Sequence, residues 1–160
     1  MELIDIVIGV DPDSDKNGVA VFFNKKLSVV ANHDAFDFYG YVEWLRKTYA
    51  AKSITVCIEN VKANSFMYAR NSPAISKSRD KMAASYKMGI KMGMCHQAQT
   101  EIERACDRLG VELVKMNPCG SAWGKNKGVF EKQTGWTGRS NKDNRMAAFF
   151  GWLYIKSIKK

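Results

Sequence analysis

The sequence predicts an α/β fold, a five-stranded mixed sheet flanked by helices, in a single domain over residues 1–160. Three strand-like runs follow one another at the start of the chain, each bounded by turn residues. Helical stripes then alternate with two further short apolar runs, which gives the order β-β-β-α-β-α-β-α. Two of the apolar runs also carry a carboxylate, Asp11 and Glu59, among neighbours that read as buried.

Strand 1 covers residues 4–10 (Ile4, Ile6, Val7, Ile8, Val10), and Pro12, Asn17 and Gly18 supply the turn into strand 2, residues 18–23. Strand 3, around residues 27–31, completes an antiparallel meander. A helix over residues 37–49 places Phe38, Tyr41, Val42 and Leu45 at i, i+3, i+4 and i+7, the stripe of a helix packed on a sheet. Strand 4, residues 53–59, is reached by a crossover and is therefore parallel to strand 1. Asp11 ends strand 1, where a carboxylate is costly without a cation or donors. It either caps the hairpin through turn amides or shares a site with Glu59.

Residues 60–73 read as a loop rich in Asn, Ser and basic side chains, with Phe66, Met67 and Tyr68 either packed on the core or serving as a stacking platform for bases. A long helix follows over residues 78–109, closed by Gly110. Gly89 and Gly93 lie one turn apart in its middle at roughly 1 kcal/mol each relative to Ala, which implies a close approach. Met82, Met88, Met92 and Met94 supply adaptable apolar surface, suited to packing on the sheet with one face and on a second subunit with another. Strand 5 is residues 111–116, ended by Asn117 and Pro118. Residues 119–141, with five glycines, Trp123 and Trp136, read as a long basic loop. A last helix over residues 143–155 carries Met146, Ala147, Phe149, Phe150 and Leu153 on or near its apolar side. Asp143 stands in its first turn, where the helix dipole favours a carboxylate.

Composition narrows the function. Hydrophobic residues make up 46% and charged residues 26%, an ordinary globular balance. No apolar run approaches a membrane span, and residues 1–10 are acidic where a signal peptide is basic, so a cytoplasmic protein without membrane association is expected. Cys57, Cys95, Cys106 and Cys119 are spaced neither as a metal-binding pair nor as a secreted scaffold, and His33 and His96 are the only histidines. Reduced thiols are expected, and zinc or histidine acid–base chemistry is poorly supported.

The net charge of +9 is segregated. Residues 1–61 hold six Lys and Arg against nine Asp and Glu, and residues 62–160 hold nineteen against seven. Between Lys62 and Lys91 there are seven basic residues and one acid, Asp80. Solvated helix faces normally alternate sign, so this run favours a polyanionic partner.

The acids at the end of strand 1, on strand 4 and at the start of the last helix can converge, and this arrangement resembles the RNase H-like superfamily of nucleases. Within it the chain is most similar to RuvC-type Holliday junction resolvases and their phage-like relatives. The motifs are IGVDPDSDKNGVA around Asp11, IEN around Glu59, the Gly89-x-x-x-Gly93 helix, Pro118 followed by Trp123 and Lys125, and TGRSNKDNRMAA around Asp143. The resemblance spans nearly the whole chain. It implies a DNA-associated homodimer that resolves four-way (Holliday) or other branched DNA junctions by paired nicks leaving 5′-phosphates. It implies Mg²⁺, with Mn²⁺ as a substitute, as two ions about 4 Å apart that activate water and stabilise the leaving oxygen. By the same resemblance Asp11 bridges both ions, Glu59 and Asp143 complete the shell, and Lys125 stands near the scissile phosphate. No small-molecule cofactor is implied. Lys62, Arg70, Arg79, Lys81, Lys127, Arg139 and Lys142 are candidates for phosphate contacts, with Phe66 and Tyr68 as stacking candidates.

The family's last helix carries two acids three positions apart, and here the second position is Met146. Asp13, Asp15 and Asn144 are candidates to compensate. The alternative reading is a non-cleaving junction-binding protein that retained the fold. Actin-like ATPases also begin with an acid-bearing hairpin, but they need two such domains and Gly-rich phosphate loops that this chain lacks.

Overall fold

The computed structural model describes residues 4–49, 51–63 and 73–158. Five strands form one sheet in the order β3-β2-β1-β4-β5: β1 Ile4–Asp11, β2 Asn17–Phe23, β3 Lys26–His33, β4 Ala51–Glu59 and β5 Glu112–Met116. The first three strands pair antiparallel as a meander, and β4 lies parallel to both β1 and β5. The mixed sheet, its antiparallel meander and the parallel pairing of β4 with β1 are those expected from the sequence.

Helices cover both faces. α1 (Ala35–Thr48) starts at Asp34, whose side chain accepts from the Asp37 N–H, and buries Phe38, Val42 and Leu45. These pack with Ile6, Ile8, Val10, Val56 and Ile58 and with Ile102, Ala105, Cys106 and Leu109 of the long helix. A short α2 (Pro73–Ser76) precedes that helix, α3 (Lys81–Leu109), which is capped by Asp80 and ended by Gly110 in the left-handed region at φ 62°. The opposite face is covered by α4 (Ala122–Lys125), α5 (Lys127–Thr134) and α6 (Lys142–Ser157), with Trp123, Phe130, Ala147, Ala148 and Ile155 against Val7, Ala20, Phe22 and Cys57. No helix among the described residues is long and apolar enough to cross a membrane.

The expected loop over residues 119–141 is corrected by α4 and α5. Both are short helices held by their ends: Ser121 accepts from the Trp123 N–H, Asn126 accepts from the Val129 N–H, and Gly135 closes α5 at φ 73°. Their signal is a pair of caps rather than a stripe.

α6 sits on the sheet through glycines. A Cβ on Gly9 would lie 1.9 Å from the Ala147 carbonyl oxygen, one on Gly18 2.2 Å from the Asp143 carbonyl oxygen, and one on Gly151 2.7 Å from the Phe22 ring. Backbone stands against backbone at the first two, so no rotamer change relieves a clash. Gly9→Ala should destabilise the protein by about 3 kcal/mol, the upper end of overpacking penalties, read as a lower denaturant midpoint at unchanged slope. A midpoint equal to wild type would mean that α6 can shift freely.

The close approach expected at Gly89 and Gly93 is not made within the described chain, where nothing lies within 4 Å of a Cβ at either position. Met82, Tyr86, Ile90 and Met94 on the same half of α3 are 83%, 71%, 48% and 48% exposed. The C-terminal half is anchored instead. Gln99, fully buried, donates to Asn60 Oδ1 at 2.9 Å and Glu103 Oε1 at 2.8 Å, and accepts from the Lys62 N–H at 3.1 Å.

Candidate active site

Two strand ends and one helix start form the site. β1 and β4 run parallel with Val10 opposite Ile58, so the next residues, Asp11 and Glu59, end adjacent strands side by side. Alternation along the strands puts both on the face that carries Val7 and Cys57, which is the face α6 covers. Gly18 pairs with Asp11 and has no side chain to keep α6 away, so the first turn of that helix, with Asp143, lies beside them. Asp11, Glu59, Asp143, Lys125 and Lys142 line one cleft of about 570 Å³, together with Asp13, Cys119 and Met146.

The acids perturb one another. Burial, then the adjoining Glu59 carboxylate, push Asp11 up to about 9, with Asp143 and Asp13 adding to the rise. Glu59 is raised by burial, while its hydrogen bond from Asp11 and the Lys142 ammonium hold it down. Asp143 is raised by burial and Asp13, and lowered by Lys142, Lys91 and Arg145. Burial and mutual repulsion thus disfavour two charges side by side on Asp11 and Glu59, as for crowded carboxyls without a cation. Hard carboxylate oxygens under mutual repulsion are the donor chemistry that Mg²⁺ or Mn²⁺ takes. Among the described residues no three His, Cys, Asp or Glu side chains form a group that could hold a metal ion as they stand, so Asp11, Glu59 and Asp143 share the cleft without making a ready cage.

Met146 forms an apolar wall of the cleft, 8% exposed, against Gly124: a Cβ there would lie 2.8 Å from its sulfur. Of the candidates to compensate for the missing acid, Asp13 lines the cleft. Asp15 is exposed, and Asn144 is buried in the α6 capping box and donates to Asn32 at 3.0 Å.

The predicted phosphate contacts divide. Arg79, Lys81, Arg139 and Lys142 are exposed. The Lys62 ammonium is paired with Glu103 at 2.8 Å, and Lys127 with Glu131 at 3.2 Å. Phe66, Tyr68 and Arg70 lie outside the described residues. Two neighbours of the cleft were not singled out from the sequence. Lys91 acts on Asp143 and Cys95 from α3, and the Ser14 backbone N–H reaches the Cys95 thiol, so this helix flanks the acids. Arg145 is a buried cation on α6; its signal was an arginine inside an apolar helical stripe.

Among solved structures the chain is similar to Thermus thermophilus RuvC in complex with a Holliday junction substrate, at a TM-score of 0.57 and 12% identity, over 97% of this chain and 95% of that one. The fold is that of RuvC. A second Thermus thermophilus RuvC structure matches at a TM-score of 0.53 and 12% identity, over 96% and 95%. No family's sequence model matches the chain, and no curated protein matches it in sequence. At 12% identity the likeness is one of fold.

Proposed function

We propose that this protein is a metal-dependent, structure-selective DNA endonuclease that resolves four-way or other branched junctions by paired nicks leaving 5′-phosphates. The observation that carries the reading is the meeting of Asp11, Glu59 and Asp143 in one cleft with Lys125 and Lys142 at its wall. Asp11, Glu59 and Asp143 would hold Mg²⁺ or Mn²⁺. Bound there, the metal supplies a water activated at neutral pH and charge stabilisation at the leaving oxygen. Lys125 neutralises charge at the phosphate, and Lys142 holds Glu59 and Asp143 toward their ionised, metal-binding forms. Arg79, Lys81 and Arg139 contact phosphates around the cleft, which positions DNA without reading its sequence. The exposed apolar face of α3 pairs with a second copy, so that two clefts address opposed strands.

The test is cleavage of a labelled four-way junction with Mg²⁺ or Mn²⁺ and mapped cut sites. Symmetric nicks with 5′-phosphates are expected. Cutting of unbranched duplex at the same rate would overturn the structure selectivity. A second reading, a non-cleaving junction-binding protein, is favoured by Met146 on the cleft wall. Tight junction binding with no cut under any metal would select it.

A further inference from the structure

Arg145 stands on α6 in a run of buried residues, Asn144 to Ala148, and is itself 8% exposed. A cation in that position requires partners. None of the ion pairs among the described residues includes it. Its partners are neutral oxygens: Nε donates to the Trp123 carbonyl at 2.7 Å, Nη2 to the Gly124 carbonyl at 2.9 Å, and Nη1 to Ser140 Oγ at 3.4 Å.

Those two carbonyls belong to α4, a helix of four residues whose own closure is the Asn126 N–H to the Ala122 carbonyl at 2.8 Å. The last carbonyls of a helix have no partner within it, and one turn of helix does not persist unaided. The guanidinium fork meets two successive orphans at once. An ammonium, a single point charge on a flexible stem, cannot reproduce that arrangement. The next residue is Lys125, on the wall of the acid cleft.

We propose that Arg145 is a positioning residue for Lys125, clamping α4 to α6 so that the lysine is held at the cleft. The inference rests on the nuclease reading and deepens it. It does not require Arg145 to touch DNA or metal.

The test compares wild type, Arg145→Lys, Lys125→Ala and the double variant in single-turnover cleavage of a four-way junction with saturating Mg²⁺. Hydrogen exchange over residues 119–135 and 142–157 is measured in parallel. Arg145→Lys should slow cleavage by about 10-fold to 100-fold, as expected for a misplaced group, with junction affinity within about twofold of wild type. In the Lys125→Ala background the same change should slow it no further. Protection of residues 122–126 should fall while residues 142–157 keep theirs. Wild-type cleavage by Arg145→Lys overturns the proposal, as does an equal further loss in the Lys125→Ala background. Equal loosening of both segments overturns it too, by making Arg145 a general packing residue. The exchange measurement needs no cleavage: a wild-type protein that cuts nothing refutes the nuclease reading, and the exchange result still judges the clamp.

Discussion

The Asp11→Asn protein should bind a four-way junction as wild type does and cleave it at least about 10³-fold more slowly, a barrier increase of about 4 kcal/mol. Asn has the shape of Asp without its charge, so the strand end and its neighbours stay in place while a metal-binding oxygen is lost. Cleavage within tenfold of wild type would remove Asp11 from the centre. The same substitution should make the metal-free protein more stable. Burial and the neighbouring carboxylates raise Asp11 from 3.8 to about 9, so between those pH values the folded state binds more protons than the unfolded state. Stability from this group is therefore fully present below about pH 4 and is lost as pH rises toward 9. In chelator at pH 8 the Tm of Asp11→Asn should exceed that of wild type by about 3–6 °C, corresponding to 1–2 kcal/mol for a chain of this length, and the gap should close at pH 4. Mg²⁺ should raise the wild-type Tm more at pH 8 than at pH 6 and leave the variant unmoved. A variant less stable than wild type at pH 8 would contradict the crowding of the acids.

Met146→Asp should act in the opposite direction on catalysis. Met146 faces the cleft one helical turn beyond Asp143, so an aspartate there adds a donor to an open set. With Mg²⁺ the variant should cleave about tenfold faster than wild type or more, equivalent to about 1.4 kcal/mol or more. Without metal it should be less stable by about 3 kcal/mol, because a buried apolar contact with Gly124 becomes a carboxylate beside Asp11 and Asp143. Mg²⁺ should therefore stabilise this variant more than wild type. A variant no faster under Mg²⁺ or Mn²⁺ would show that the methionine does not limit the reaction.

These substitutions act on residues that were legible in different degrees. Asp11 and Glu59 could be read because a charge among β-branched neighbours breaks a local pattern, and Asp143 because helix starts have their own signature. Of the glycines that seat α6, Gly18 was visible only as a turn residue and Gly9 only as part of a strand: the contacts of Gly9 with Ala147 and of Gly18 with Asp143 join segments more than a hundred residues apart. Distance along the chain also hid the fate of Lys62, which reads as a free cation until Glu103 is folded against it. α4 and α5 escaped because they are held by caps, and α4 also by hydrogen bonds from Arg145, whereas helix reading relies on a repeated apolar stripe.

α3 departs from that rule in another way, since much of it stands away from the core. The fourteen residues from Lys81 to Met94, none of them buried, extend about 21 Å beyond the anchored part of the helix. A rod of that length is a lever: a tilt of about 10° at its root carries the tip about 4 Å. Whatever grips Met82 and Tyr86 therefore applies torque at the root with the same advantage. At that root Gln99 holds the side chain of Asn60, the residue that follows Glu59.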